Sequence, residues 1–492
     1  MTRPPSGATR RGVLFGAATT LLVGCTGGAD PPAAPPTGPP NRLTEEPAIF
    51  DLSFEPVSRT RPFALLAPGF LVVDSGPVTG TDLVLAEEGP PAPFAAVELR
   101  IDGARGSAAA GLASPDGDHV LVRWSADTAR ITLELRTSGR SRVLRRRTVR
   151  LRGAFGLAFV VCENQVTALV DEGDGWQPVL TERTKVAALV DLAAEETLTG
   201  LRYAWSRSGA RVRSVRAGIF GMTGVRDPHL VQRSDGRPYV RDGRYFMTWT
   251  CAGPGFFQQA HWTVWSFDPA RPGEQRLEAQ LFTRRGGRIL GDHAGQVVRD
   301  GRRWLVATSS WGDFAPGTIH VRHTTTTADV LSGVHVLDTE PTPLPTEHGS
   351  WDPAMTRIDG TWHVGYVESP SQDPFDFHPA LATTASDVWH EDLAPVAAAT
   401  TLHQTEGPIL VRVAGEHWLL ASDGDARNYP VFDLTGRRVG RVDAPYPTNI
   451  PHPQLVPAPG GGWWLVTFDG TPYAEPVLGY GTHGDLVVMR AD

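Results

Sequence analysis

Three carboxylates stand at the head of short, similar stretches in the C-terminal half of the chain. They are Asp227 in Arg226-Asp227-Pro228, Asp352 in Trp351-Asp352-Pro353 and Glu406 in Thr405-Glu406-Gly407-Pro408. Asp-Pro alone is a common turn dipeptide, but three acidic leaders in phase with a repeat are a more specific signal. Like charges forced into one small volume raise the pKa of at least one of them, so one carboxyl keeps its proton while another is ionised. Such a set can donate and accept protons in the same reaction, which is general acid and base chemistry.

The leaders belong to five units, each with a polar leader, a short strand, a glycine turn and an aromatic-containing strand. The units begin at Asp227, Asp292, Asp352, Glu406 and His452, which lie 65, 60, 54 and 46 residues apart. In the first unit, Asp235-Gly236 and Asp242-Gly243 both offer the turn. Each unit is long enough for a four-stranded blade, so residues 220–492 are expected to form a five-bladed β-propeller. The start of each inner strand lies at one mouth of the central channel, where the five leaders would converge.

From about Asp51 to Gly218 short alternating segments are separated by turn residues, as in Val97-Glu98-Leu99-Arg100-Ile101 followed by Asp102-Gly103. Period-two alternation predicts antiparallel strands with one wet face, hence a sandwich over residues 48–219. The stretch from Arg142 to Arg152 alternates Arg150 and Arg152 with Val149 and Leu151, as a solvated strand face does. The expected fold class is all-β, an N-terminal jelly-roll sandwich followed by a five-bladed β-propeller.

The 492 residues are 41% hydrophobic and 20% charged, the composition of a soluble globular chain. With 54 acidic against 46 basic residues, the formal charge of −8 argues against a nucleic-acid partner. Residues 1–24 read as an export signal: Arg10-Arg11 precede an apolar run from Gly12 to Gly24 that is too short to span ~30 Å of hydrocarbon. The arginine pair resembles a twin-arginine signal, and Leu22-Val23-Gly24-Cys25 resembles a lipobox in which Cys25 is lipidated. Residues 25–47 then form a proline-rich linker. The expected location is extracytoplasmic, lipid-anchored to the cell membrane or secreted. Cys162 and Cys251 are read as buried apolar side chains, with an interdomain disulfide as the alternative.

The three acidic segments, in the order Asp, Asp, Glu in blades one, three and four, resemble glycoside hydrolase family 43 and its five-bladed relatives. The resemblance covers about residues 220–492. It implies an inverting glycosidase acting on arabinan- or xylan-like polysaccharide or oligosaccharide, with Asp227 as general base, Glu406 as general acid and Asp352 tuning the acid. Inversion needs the two carboxyls ~6.5–9.5 Å apart. Arg226, His293, Trp311, Trp351, Tyr429 and His452 are the expected substrate contacts, the aromatic rings by stacking on sugar faces. No metal or other cofactor is required; His452 alternatively contacts a water or a structural calcium ion at the propeller centre. Asp292-His293-Ala294-Gly295 departs from the Ala-Pro-Asp of many family 43 second blades. Phe159 to Trp176 resembles a concanavalin-like jelly roll of the laminin-G type, whose expected role is packing against a catalytic neighbour. The expected partners are a carbohydrate and, through Cys25, a membrane, with the chain a monomer. A tethered glycan-binding lipoprotein without catalysis and a purely structural propeller are the competing readings.

Overall fold

The computed structural model describes residues 48–315, 317–470 and 484–492. The expected export signal, the expected lipidation position Cys25 and the whole of the expected proline-rich linker, residues 1–47, lie outside the described residues. The described chain is all-β, with helix confined to short turns such as Glu195–Gly200. Among the described residues no helix is long and apolar enough to cross a membrane.

Two six-stranded antiparallel sheets occupy the first half. In one, His119–Ser125 points Val120, Val122 and Trp124 inward, and Arg130–Thr137 adds Ile131, Leu133 and Leu135. They meet Val97, Leu99, Leu157 and Phe159 of the facing sheet, so the period-two pattern defines a shared core. The second sheet departs from the expected wet face, because Phe155–Cys162 is buried at every position. Its Ala158, Val160 and Cys162 turn away from that core and pack with Trp249 and Phe282 of the second half. A strand reading Phe-Gly-Leu-Ala-Phe-Val-Val-Cys has no polar face to offer water, and burial of each large apolar side chain contributes ~1.5–3 kcal/mol. Cys251 joins the same cluster, and both thiols are buried and free.

Five further sheets follow, led into the centre by Val225–Leu230, His293–Asp300, Gly349–Ile358, Thr405–Val413 and Gln454–Pro457. The start of this half at residue 220 misses one strand. Glu55–Thr60, expected in the sandwich, pairs with Asp485–Ala491 as the outer strand of the fifth sheet, and Ile49, Leu52 and Phe54 pack beside it with Leu455 and Leu465. Without it the last strand would present an unpaired edge. The segment Glu-Pro-Val-Ser-Arg-Thr shows no alternating apolar pattern, so its pairing is decided by the edge it covers. In the first sheet the hairpin turn is Asp242-Gly243, with Arg241 opposite Arg244 and φ of 52° and 73°, the left-handed pair of a two-residue turn.

Candidate active site

Four of the five leading strands carry a bulge at the same place. The register slips between Arg226 and His229, His293 and Gln296, Trp351 and Ala354, and Glu406 and Ile409. Within it, Asp227, Ala294, Asp352 and Gly407 have φ of 55°, 53°, 52° and 66°. Left-handed backbone suits Gly and is tolerated by Asp, and strain of this kind persists where the surrounding fold over-determines it. A bulge bends the strand and re-aims its side chains.

The bulges also correct the phase of the repeat. Asp227 and Asp352 are equivalent, but Glu406 stands one position earlier, in line with Arg226, His293 and Trp351. In the fifth sheet Gln454 is the first paired residue, which places His452 at the aspartate position. Asp292 is not part of the ring: it is buried, accepts hydrogen bonds from Thr283 Oγ1 at 2.7 Å and Gly312 N at 3.0 Å, and pairs with Arg285. Its charge holds a loop in place.

A cavity of about 210 Å³ opens where the bulges meet, lined by Arg226, Asp227, His293, Trp311, Trp351, Asp352, Glu406 and His452. Ala294 also lines it, as do six residues that no leader position marks: Phe257, Phe375, Phe377, Gln404, Asn449 and Ile450. The sequence reading missed these six because they lie outside the leader positions; Phe256-Phe257 and the Phe375/Phe377 pair were the available signals, aromatic side chains beyond the repeat. Phe257 lies 4.6 Å from Trp311, Trp311 lies 5.4 Å from Trp351, and Trp351 lies 5.3 Å from Phe377, centroid to centroid, giving one aromatic wall. Tyr429 is a correction. It is fully buried beside Tyr446, at 5.1 Å, in the core shared by the fourth and fifth sheets, so its ring faces no ligand. Trp351 is 1% exposed and donates from Nε1 to Glu406 Oε2 at 3.3 Å, so it positions the carboxylate more than it offers a face.

The charges are buried and joined. Arg226 Nε donates to Asp227 Oδ1 at 2.8 Å, and its Nη2 donates to Glu406 Oε1. His452 Nδ1 lies 3.6 Å from Asp227 Oδ1, and its Nε2 lies 3.6 Å from both Asp352 Oδ2 and Glu406 Oε1. Gly407 N donates to Asp352 Oδ2 at 3.0 Å. A Cβ on Gly407 would sit 2.3 Å from His452 Cγ, so only glycine lets the imidazole approach.

Burial pushes the Asp352 carboxyl up to about 8; His452 opposes this, and the charges of Glu406 and Asp227 reinforce it. Glu406 moves the other way. Burial raises it, but the Arg226 guanidinium and His452 together hold it below the usual range. Burial lowers His452, and Asp352, Asp227 and Glu406 outweigh that and raise it overall. His293 is lowered by burial; its ring lies parallel to Trp311. Burial thus favours the protonated form of Asp352 and the Arg226 contact favours the ionised form of Glu406, whereas the resemblance made Glu406 the proton donor.

Asp352, Glu406 and His452 offer ligand atoms within 4.8 Å of one another. They do not fit calcium, which takes six to eight oxygens, since one donor is an imidazole and Glu406 is already engaged by Arg226. The channel beneath, between His229, Ile409 and His452, holds about 10 Å³, roughly the room of one water.

No protein-family model and no curated protein matches the chain. Among solved structures, a thermostable family-43 glycoside hydrolase aligns at 13% identity over 55% of this chain and 89% of its own, with a TM-score of 0.37. A family 117 glycoside hydrolase from the marine bacterium Zobellia galactanivorans aligns at 12% identity over 55% and 84%, also with a TM-score of 0.37. The GH43_1 enzyme from Xanthomonas citri aligns at 16% identity over 55% and 87%, with a TM-score of 0.39. At these scores nothing about the activity of this chain follows from them.

Proposed function

We propose that the protein is a glycoside hydrolase. The observation that supports this best is the pair Asp352 and Glu406, two adjoining buried carboxyls whose surroundings push their pKa values in opposite directions beside an aromatic-walled cavity. Titratable groups divided in this way mark a site of acid and base chemistry. At about 210 Å³ the cavity is smaller than the ~300–1,000 Å³ of sites for drug-sized ligands, in keeping with one sugar ring.

In this reading Asp227 takes a proton from water as the water attacks the anomeric carbon, and Glu406 gives one to the leaving oxygen. Glu406 must first receive that proton. Asp352 stores it, and His452 Nε2, equidistant from both carboxyls, relays it once the bound sugar draws Arg226 off Glu406. The substrate class is arabinan- or xylan-like, the attack inverting; residues 1–24 direct export and Cys25 takes the lipid.

One observation favours a second reading, a glycan-binding protein without turnover: a single guanidinium spans Asp227 and Glu406. Parent protein and the variants Asp227→Asn, Asp352→Asn and Glu406→Gln, assayed on arabinose-, xylose- and galactose-linked substrates with product anomers read by NMR, separate the two. Turnover by the parent that is lost in folded variants supports hydrolysis. Sugar binding that is equal in all four proteins, with no product from any, supports binding alone.

A further inference from the structure

The strand Arg140–Thr148 and the segment after it carry seven arginines, from Arg140 to Arg152, and no acidic residue. All seven are exposed, and the strand is the last of its six-stranded sheet. Some exposed arginines elsewhere are tied to carboxylates, as Arg237 is to Asp235, Arg276 to Glu278 and Arg437 to Asp433, and scattered ones such as Arg105 and Arg441 have no ion pair among the described residues; what sets the stripe apart is that seven lie together. In the stripe only Arg145 reaches one, Glu182 at 3.7 Å, while Arg147 donates to the Val179 carbonyl at 2.9 Å. Among the described residues no ion pair reaches the others. Protecting an edge from stray strand pairing takes a charge or two. Seven neighbouring cations repel one another, and they persist here on a chain whose formal charge is −8.

We propose that this stripe binds a linear acidic polysaccharide. Alternate side chains of an extended strand lie ~6.6–6.8 Å apart; a bulge at Leu144 interrupts that alternation, but the exposed guanidinium groups still follow one another along a single sheet edge, where they can meet the carboxylates of one polymer chain. Arg142 stands opposite Leu135 and Arg146 opposite Thr132, which directs them to the two sides of the ridge. A polymer strand touches only that ridge. A charged lipid plane would also confront the acidic remainder of the molecule, which repels it. The inference is independent of the chemistry at the channel mouth.

Calorimetric titration of the protein with polygalacturonate at low salt tests it, beside neutral arabinan and vesicles of mixed phosphatidylglycerol and phosphatidylcholine. Saturable binding to polygalacturonate alone is expected, weakening steeply with added salt, and the triple variant Arg142→Gln, Arg146→Gln, Arg150→Gln should lose at least about tenfold in affinity. A control triple, Arg237→Gln, Arg271→Gln, Arg437→Gln, should bind as the parent does, and thermal melts check that both variants fold. No binding by the parent, equal loss in the control, or binding to vesicles without binding to the polymer would each overturn the proposal.

Discussion

Arg226 at the channel mouth and Arg146 on the edge strand carry the same side chain in opposite surroundings. Arg226 is buried, donates to two carboxylates and lies 4.9 Å over the Phe468 ring. Arg146 is exposed, and no ion pair reaches it among the described residues. In water a guanidinium needs no partner; removed from water it must be matched in charge and hydrogen bonds. The contrast separates charge that the fold depends on from charge left free for a ligand.

The largest effect should come from Arg226→Met. Removing the cation strands two buried carboxylates, and urea unfolding should show a loss of about 3–5 kcal/mol. The proton inventory at the mouth sharpens the comparison next. Asp352 holds its proton up to about 8, against 3.8 for an ordinary aspartate, so in that window the folded state binds more protons than the unfolded one. Its contribution is complete below the lower value and is lost as pH rises toward the upper. His452, also raised, adds a loss in the same direction above its ordinary 6.5. Glu406, lowered, acts oppositely but only below its ordinary 4.5. Stability should therefore fall between about pH 5 and about pH 8, by at most about 1.4 kcal/mol per pH unit for each group, and Asp352→Asn should flatten the slope.

Gly407→Ala tests the close approach of His452. A side chain at φ of 66° and against the imidazole should cost about 1–3 kcal/mol by urea unfolding, and should shift the His452 ring resonances in NMR. Arg146→Gln marks the other end of the scale. Its unfolding free energy should stay within about 0.5 kcal/mol of the parent, since exposed and unpartnered charge adds little to stability. A larger loss would mean that the stripe is part of the fold.

Much of this architecture was legible in the residues. Alternation in His119–Ser125 and Arg130–Thr137 identified strands, and the recurring leaders identified five units that bring Asp227, Asp352 and Glu406 to one cavity. The phase within each unit was not legible. Counting residues made Asp292 a leader and Glu406 the equivalent of Asp352, because the register that aligns Glu406 with Trp351 and His293 is set by pairing with the next strand. Tyr429 was expected to stack on a sugar face as an aromatic ring, but its strand places it in the core.

By itself the sequence determined the all-β class, the repeat and the acidic leaders, because strand alternation and turn chemistry act over a few residues. Only the tertiary structure decided which way each carboxyl is shifted, which aromatic rings wall the cavity and which distant strand closes the fifth sheet. Those outcomes depend on groups far apart in the chain, such as Arg226 beside Glu406 and Glu55–Thr60 beside Asp485–Ala491. Desolvation and edge pairing come into force once folding has brought such groups together.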